Sequence, residues 1–254
     1  MAGQITSLYF LLWDTILINK ISLEPAFVLH TRSYQETSLI IDFFTKSYGR
    51  LNAVAKGAKR PKSPLRSVLT PSSKLVISMS GKSDLKTLSS VEIVEHFSVS
   101  DGTSLNSIIY LNELISKAIE KEDPHENIFH EYEALLRDLT EKNKINHLEK
   151  YLRNFELNLL QEMGYGVDLT RESETNTKLQ SKDYYRFDPD KGFSLLTETN
   201  LSNNAFLGQD IIDFSEGRFE KKTTRDASKI IMRAALDYHL GNKTLNIRKY
   251  LTKN

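Results

Sequence analysis

Between residues 26 and 97 the chain alternates apolar and polar positions in short runs separated by turn residues. "AFVLHTRSY", "TSLIIDFF", "GRLNAVAKG", "SKLVISMS" and "KTLSSVEIVEHF" each show the two-residue period of a half-buried strand. Two of the connections, "TKSYG" with Gly49 and "GKSD" with Gly81, are hairpin turns by composition. A third connection is the basic stretch "KGAKRPKSPLR". Five short strands in about seventy residues predict a small closed barrel of the OB type, a fold that often binds single strands.

From Thr103 the period becomes helical. Leu105, Ile108, Ile109, Leu111, Ile115 and Ile119 form one stripe; Ile128, Phe129, Tyr132, Leu135, Leu136 and Leu139 form a second, after Pro124. Leu148, Tyr151, Leu152, Phe155, Leu159 and Met163 form a third, stopped by Gly164. "DLTRESETNTKLQSKD" is polar and aperiodic, and "YYRFDPDKGFSLL" reads as a hairpin turning at Asp190 to Gly192. Helices resume near Asn203. The last, from about Thr224 to Leu240, sets Arg225, Lys229 and Arg233 four residues apart on one face, either a solvated face or a secondary basic surface.

The expected architecture is α+β and multidomain. Residues 1–23 form an appendage, 24–99 a five-stranded OB barrel, and 100–254 a helical domain with a hairpin insert at about 167–195. The apolar run Leu8 to Trp13 lacks a basic flank and a small-residue cleavage site and is followed by Asp14, so it makes a poor signal peptide and is too short to span a bilayer.

Composition sharpens this division. In 254 residues the formal net charge is +1, which argues against whole-surface attraction to polyanions. Charge is partitioned, however: residues 24 to 97 hold eleven Lys and Arg against six acidic residues, and residues 98 to 254 hold 22 against 26. A polyanion site must therefore be a local patch, and the first domain is the place for it. The absence of cysteine excludes disulfides and thiolate metal sites and fits a reducing cytoplasm.

Catalytic patterns are missing. "HENIFH" puts His125 and His130 five residues apart, where a zinc-binding helix needs four; no P-loop, GxSxG or GxGxxG occurs. Scattered carboxylates could assemble a metal-dependent nuclease only through tertiary structure. No cofactor, no metal and no enzymatic turnover are expected.

The basic stretch packs Lys56, Lys59, Arg60, Lys62 and Arg66 around Pro61 and Pro64 without an acidic residue. Cations that cannot neutralise one another remain available to an outside anion, although a solvated surface loop has the same composition. Arg32 and Arg50 on neighbouring strands would extend such a patch. Tyr34 and Tyr48 are candidates for stacking bases or for core packing.

The stretch "AFVLHTRSYQETSLIIDFFTKSYGRLNAVAKGAKRPKSPLRSVLTP" closely resembles the N-terminal domain of the RecO family of bacterial recombination mediators and DNA-repair proteins. Its "E-T-S-L", "G-R" and "V-A-K-G-A-+" elements carry the resemblance, joined by "LNELISKAI", "LRNFELNLLQEMGYG", "DKGF" and "HLGNKTLNIRKYL" further on. The resemblance implies an OB domain followed by a helical domain, binding of single- and double-stranded DNA, and annealing of complementary strands. It implies as partners RecR and the acidic C-terminal tail of single-stranded DNA-binding protein, with RecA loaded indirectly, no membrane, and a cytoplasmic, nucleoid-associated location during repair. Through "LRNFELNLL" it suggests Arg153, with Lys150 one turn earlier, for the partner tail; a plain ion-pair role for Arg153 is the alternative.

Two departures stand out. Many family members carry a four-cysteine zinc site after "GYG", and residues 167 to 193 here have no cysteine. The first 23 residues have no counterpart in the pattern, which a mis-assigned start codon would also explain. Two other function classes remain open on residues alone: a protein adaptor gripping acidic peptides without touching DNA, and the nuclease.

Overall fold

The computed structural model describes residues 20–99, 101–140, 148–196, 205–241, 243 and 245–247. Five strands, β1 (Lys20–Tyr34), β2 (Ser38–Thr45), β3 (Gly49–Ala55), β4 (Ser73–Ser80) and β5 (Leu85–His96), close into a barrel in the order β1-β2-β3-β5-β4, with β4 returning to β1. Neighbours are antiparallel except β3 and β5, which run parallel over Asn52–Val54 and Leu85–Thr87. This is the OB arrangement. Ala26, Val28, Ile41, Phe43, Leu51, Ala53, Leu75, Ile77 and Met79 fill it, the inward members of the alternating strands.

The first strand begins earlier than the expected boundary at residue 24. Lys20 and Ile21 pair with Ser80 and Met79, and Ile21 is buried, so residues 20–23 belong to the barrel and not to an appendage. A bulge between Ile21 and Glu24 hides this in the sequence by inverting the polarity pattern. Leu23 is 70% exposed at φ 53°, while Glu24 is buried and its carboxylate accepts the Ser47 N–H at 2.6 Å. Residues 1–19 lie outside the described residues.

Helices α2 (Gly102–Ala118) and α3 (Glu126–Thr140) follow the short α1 (Leu65–Val68) in chain order and pack on the outside of the barrel. The Asp101 side chain caps α2 by accepting the Ser104 N–H. Phe27 and Phe44, on the outer faces of β1 and β2, meet Phe129 and Tyr132 of α3 at centroid distances of 5.0–6.4 Å. Each such ring contributes about 1.5–3 kcal/mol on burial. The Tyr132 hydroxyl donates to Asn112 of α2, and burial pushes its pKa up. Gly49 is needed at the β2–β3 turn, because its φ is 65° and a side chain would strike the backbone of Asp123. The helical period begins near residue 100, but the compact unit holding the barrel runs through Thr140 and includes Ile247, whose N–H donates to Glu113 at 2.9 Å.

The second compact unit runs to Asn246. It contains α4 (Leu148–Glu162), a small sheet of β6 (Tyr184–Asp188), β7 (Gly192–Leu195) and β8 (Ala205–Leu207), then α5 (Gly208–Ser215) and α6 (Lys222–His239). The sheet has the order β7-β6-β8, so a third strand, unread in the sequence, joins the expected hairpin. The hairpin turns where expected: Asp188 pairs with Gly192 and its carboxylate accepts the Asp190 and Lys191 N–H groups. Before it, the aperiodic stretch is held by carboxylates that fold back on their own turns. Asp168 accepts from Thr170 and Glu172 from Thr175.

Candidate nucleic-acid interface

In many OB folds the nucleic acid lies across strands 2 and 3. Here that face is largely occupied by the chain itself. Besides the Phe44 contact, Asp42 of β2 accepts from Ser116 of α2 at 3.0 Å, and Arg50 of β3 reaches the same helix. The end of the barrel where β1 turns into β2 is open. The register pairs Tyr34 with Ser38 and Leu39 with Ala55, so the β1–β2 turn and the basic stretch after β3 emerge side by side.

The basic stretch is anchored at this end. The Lys59 N–H donates to Thr37 O at 2.9 Å and its ammonium to Gln35 O at 3.3 Å, tying the stretch to the turn. Ala58 is fully buried in the barrel core, and Leu65, Val68 and Leu69 follow it inward. Turn hydrogen bonds from Arg60 N to Gly57 O and from Ser63 N to Arg60 O fix the intervening backbone. Apolar residues thus plug the barrel, while Lys56, Lys59, Arg60, Lys62 and Arg66 are all exposed. Arg32, near the end of β1, is exposed, and Tyr34 is half-buried beside the turn; Glu36 is an exposed carboxylate in that turn.

Arg50 and Tyr48 do not extend this patch. Arg50 stands at the other end of β3 from Lys56, roughly 20 Å away along the strand. Its guanidinium donates to Asp42 at 2.7 Å, Ser116 at 3.1 Å and Ile119 O at 2.8 Å. It borders a polar cavity of about 180 Å³ that Leu51, Asn52, Asp84, Lys121 and Glu122 complete, where cations face carboxylates. Tyr48 packs against the barrel core.

In the second unit, Arg153 lies 2.8 Å from the carboxylate of Glu156, which is fully buried. That pair commits Arg153 to the fold of α4, and reversing its charge would set two carboxylates together in the interior. Lys150, a turn earlier, passes close to Gly217 of the α5–α6 loop and is half-buried. On α6, Arg225 donates to Phe219 O and Glu220 O and meets Glu149 at 3.3 Å. Lys229 and Arg233 are exposed. The sequence pattern did not reveal Lys222, because α6 starts two residues before the expected Thr224: Asp210 of α5 accepts from the hydroxyls of Thr223 and Thr224 and fixes its first turn. His125 and His130 each face a carboxylate, Asp123 and Glu126. No group of three or more potential metal ligands occurs among the described residues.

Sequence models of Recombination protein O cover nearly all of this structure, the N-terminal model matching residues 21–97 and the C-terminal model residues 99–248. The chain belongs to the RecO family. RecO relatives named DNA repair protein RecO include that of Glaesserella parasuis serovar 5, 37% identical over 226 residues, covering 89% of this chain and 93% of the relative. That of Nitrosospira multiformis is 38% identical over 229 residues, 90% and 93% of the two chains. That of Vibrio parahaemolyticus is 39% identical over 226 residues, 89% and 91%. The two RecO models meet at 97–99, at the end of β5, where the residue pattern changes from strand to helix. No helix among the described residues is long and apolar enough to cross a membrane.

Proposed function

We propose that this RecO-family chain acts in DNA repair and recombination as a non-catalytic mediator that binds single- and double-stranded DNA and anneals complementary strands. The observation that carries the reading is the basic stretch at the β1–β2 end of the barrel, anchored by Ala58, Leu65 and Val68 and with its five cations turned outward. Lys56, Lys59, Arg60, Lys62 and Arg66, with Arg32 beside them, contact phosphates, and Tyr34 offers an aromatic face to a base. Binding is independent of sequence, since cations meeting phosphate do not read base edges. Annealing needs no nucleotide: base pairing supplies the free energy, and the protein offsets repulsion between two phosphate backbones.

Family membership supports the wider assignment, in which the chain works with RecR and the acidic tail of single-stranded DNA-binding protein to load RecA onto coated strands. The tail contact rests on Lys150 and the surface around α4, with Arg153 a positioning residue through its pair with Glu156. A gel-shift and annealing assay on naked strands, with and without magnesium, tests the core of the proposal. The expected result is binding and annealing without magnesium or nucleotide and with strand length unchanged. Magnesium-dependent shortening would establish a nuclease instead, and capture of an acidic peptide without any binding to DNA would establish an adaptor.

A further inference from the structure

Six cations lie between Arg218 and Arg233, and the fold divides them into two sets of three. Arg218 and Lys221 are spent on the buried carboxylate of Asp213, Arg218 also meeting Glu216, and Arg225 is spent on the Phe219 and Glu220 carbonyls and Glu149. Lys222, Lys229 and Arg233 are exposed and have no ion pair among the described residues. At 100° per residue these three fall within about 40° of one another, turned away from the buried positions Thr224, Ala227, Ser228, Ile231 and Ala235, while buried Met232 and Leu236 flank the row on one side.

We infer that this outward row on α6 is a second phosphate-backbone site, carried by the second compact unit and separate from the basic stretch on the barrel. The inference rests on the DNA-binding reading above and extends it to a second strand. Lys222 to Lys229 spans about 10 Å along the helix and Lys229 to Arg233 about 6 Å. A backbone advancing about 3.4 Å per nucleotide meets those intervals after roughly three and two nucleotides. Asp226 is the carboxylate inside the row, and Ile230, 55% exposed, lies along its edge. The row sits on a convex helix surface whose remaining apolar positions alongside it turn inward, a form suited to a backbone and lacking the apolar pocket that anchors an acidic peptide. Two backbone sites on two folded units let one chain hold two strands at once, which is what annealing requires.

The test compares three full-length proteins: the parent, the barrel variant Lys59→Ala/Arg60→Ala/Lys62→Ala, and the row variant Lys222→Ala/Lys229→Ala/Arg233→Ala. Each is titrated with a labelled single strand at several salt concentrations and with an acidic peptide, assayed for annealing, and melted to establish an intact fold. The row variant should melt like the parent, show a log-log salt slope shallower by about 2, and anneal at least about tenfold more slowly. Exchanging Lys222 and Lys229 for Arg and Arg233 for Lys should keep the parental slope and annealing rate. Parental slope and annealing in the row variant would overturn the inference while leaving the barrel site standing. Loss of acidic-peptide binding with DNA binding intact would overturn it in favour of a peptide surface. A parent protein that binds no DNA would remove the functional reading itself, a result the parent arm reports separately.

Discussion

The two ends of the barrel carry the same kinds of residue and put them to opposite uses. At the end of β3 nearest the β2–β3 turn, Arg50 is enclosed by Asp42, Ser116 and the Ile119 carbonyl, with its side chain 13% exposed. At the other end, Arg60 and its neighbours project from a stretch anchored by its backbone, by apolar residues and by the Lys59 ammonium on the Gln35 carbonyl, with no carboxylate partner among the described residues. The difference is a matter of reach. Arg50 lies under the end of α2 and beside a carboxylate on the next strand, whereas no carboxylate occurs between Lys56 and Arg66, and the exposed Glu36 is the acidic residue of the adjoining turn. A cation with a partner in its own fold holds the fold together; one without stays available to an outside phosphate.

The comparison can be broken by removing one cation from each end. Arg50→Ala leaves the Ile119 carbonyl without this donor and the Asp42 carboxylate without its counter-charge, held by the Ser116 hydroxyl, and should cost roughly 3–5 kcal/mol of stability. Arg60→Ala should stay within about 0.5 kcal/mol of the parent. Chemical denaturation of the two variants checks both, and equal losses would erase the distinction between the ends.

A smaller effect sharpens the same contrast in the second unit. Burial works to raise the Asp213 carboxyl, but the hydrogen bonds from Lys221, Arg218 and Gln209 outweigh it and hold the pKa at about 2. A group depressed in the folded state stabilises above its unfolded pKa and loses that contribution as pH falls through the folded value. Stability from this cluster should be complete above about pH 5 and fade toward pH 2. An acid titration of Asp213→Asn should lack that part of the decline.

Local chemistry made much of this legible in the sequence. The five strands, the hairpin at Asp188–Gly192 and the exposure of the basic stretch follow from period, turn residues and the absence of acid, all of which act over a few positions. The start of β1 was concealed because the bulge at Leu23 and Glu24 turns an apolar residue out and an acidic one in. The fate of Arg50 depends on Asp42, Ser116 and Ile119, and the last two lie more than sixty positions away, so no local pattern records it. Covering of the β2 face by α2 and α3 was equally hidden, since Phe27 and Phe44 read as ordinary strand residues until Phe129 and Tyr132 arrive against them. The pair of Arg153 with Glu156 is different: its three-residue spacing was in plain view, and only the complete burial of Glu156 makes it structural.

The central claim is that the outward cations at the β1–β2 end of the barrel hold the DNA backbone. Its most direct test is the salt dependence of single-strand binding by Lys59→Ala/Arg60→Ala/Lys62→Ala beside the parent. Removing three phosphate-binding side chains should shallow the log-log slope by about 2, with affinity reduced alike for strands of different sequence. Superimposable slopes would contradict the claim and return the stretch to a solvated surface loop.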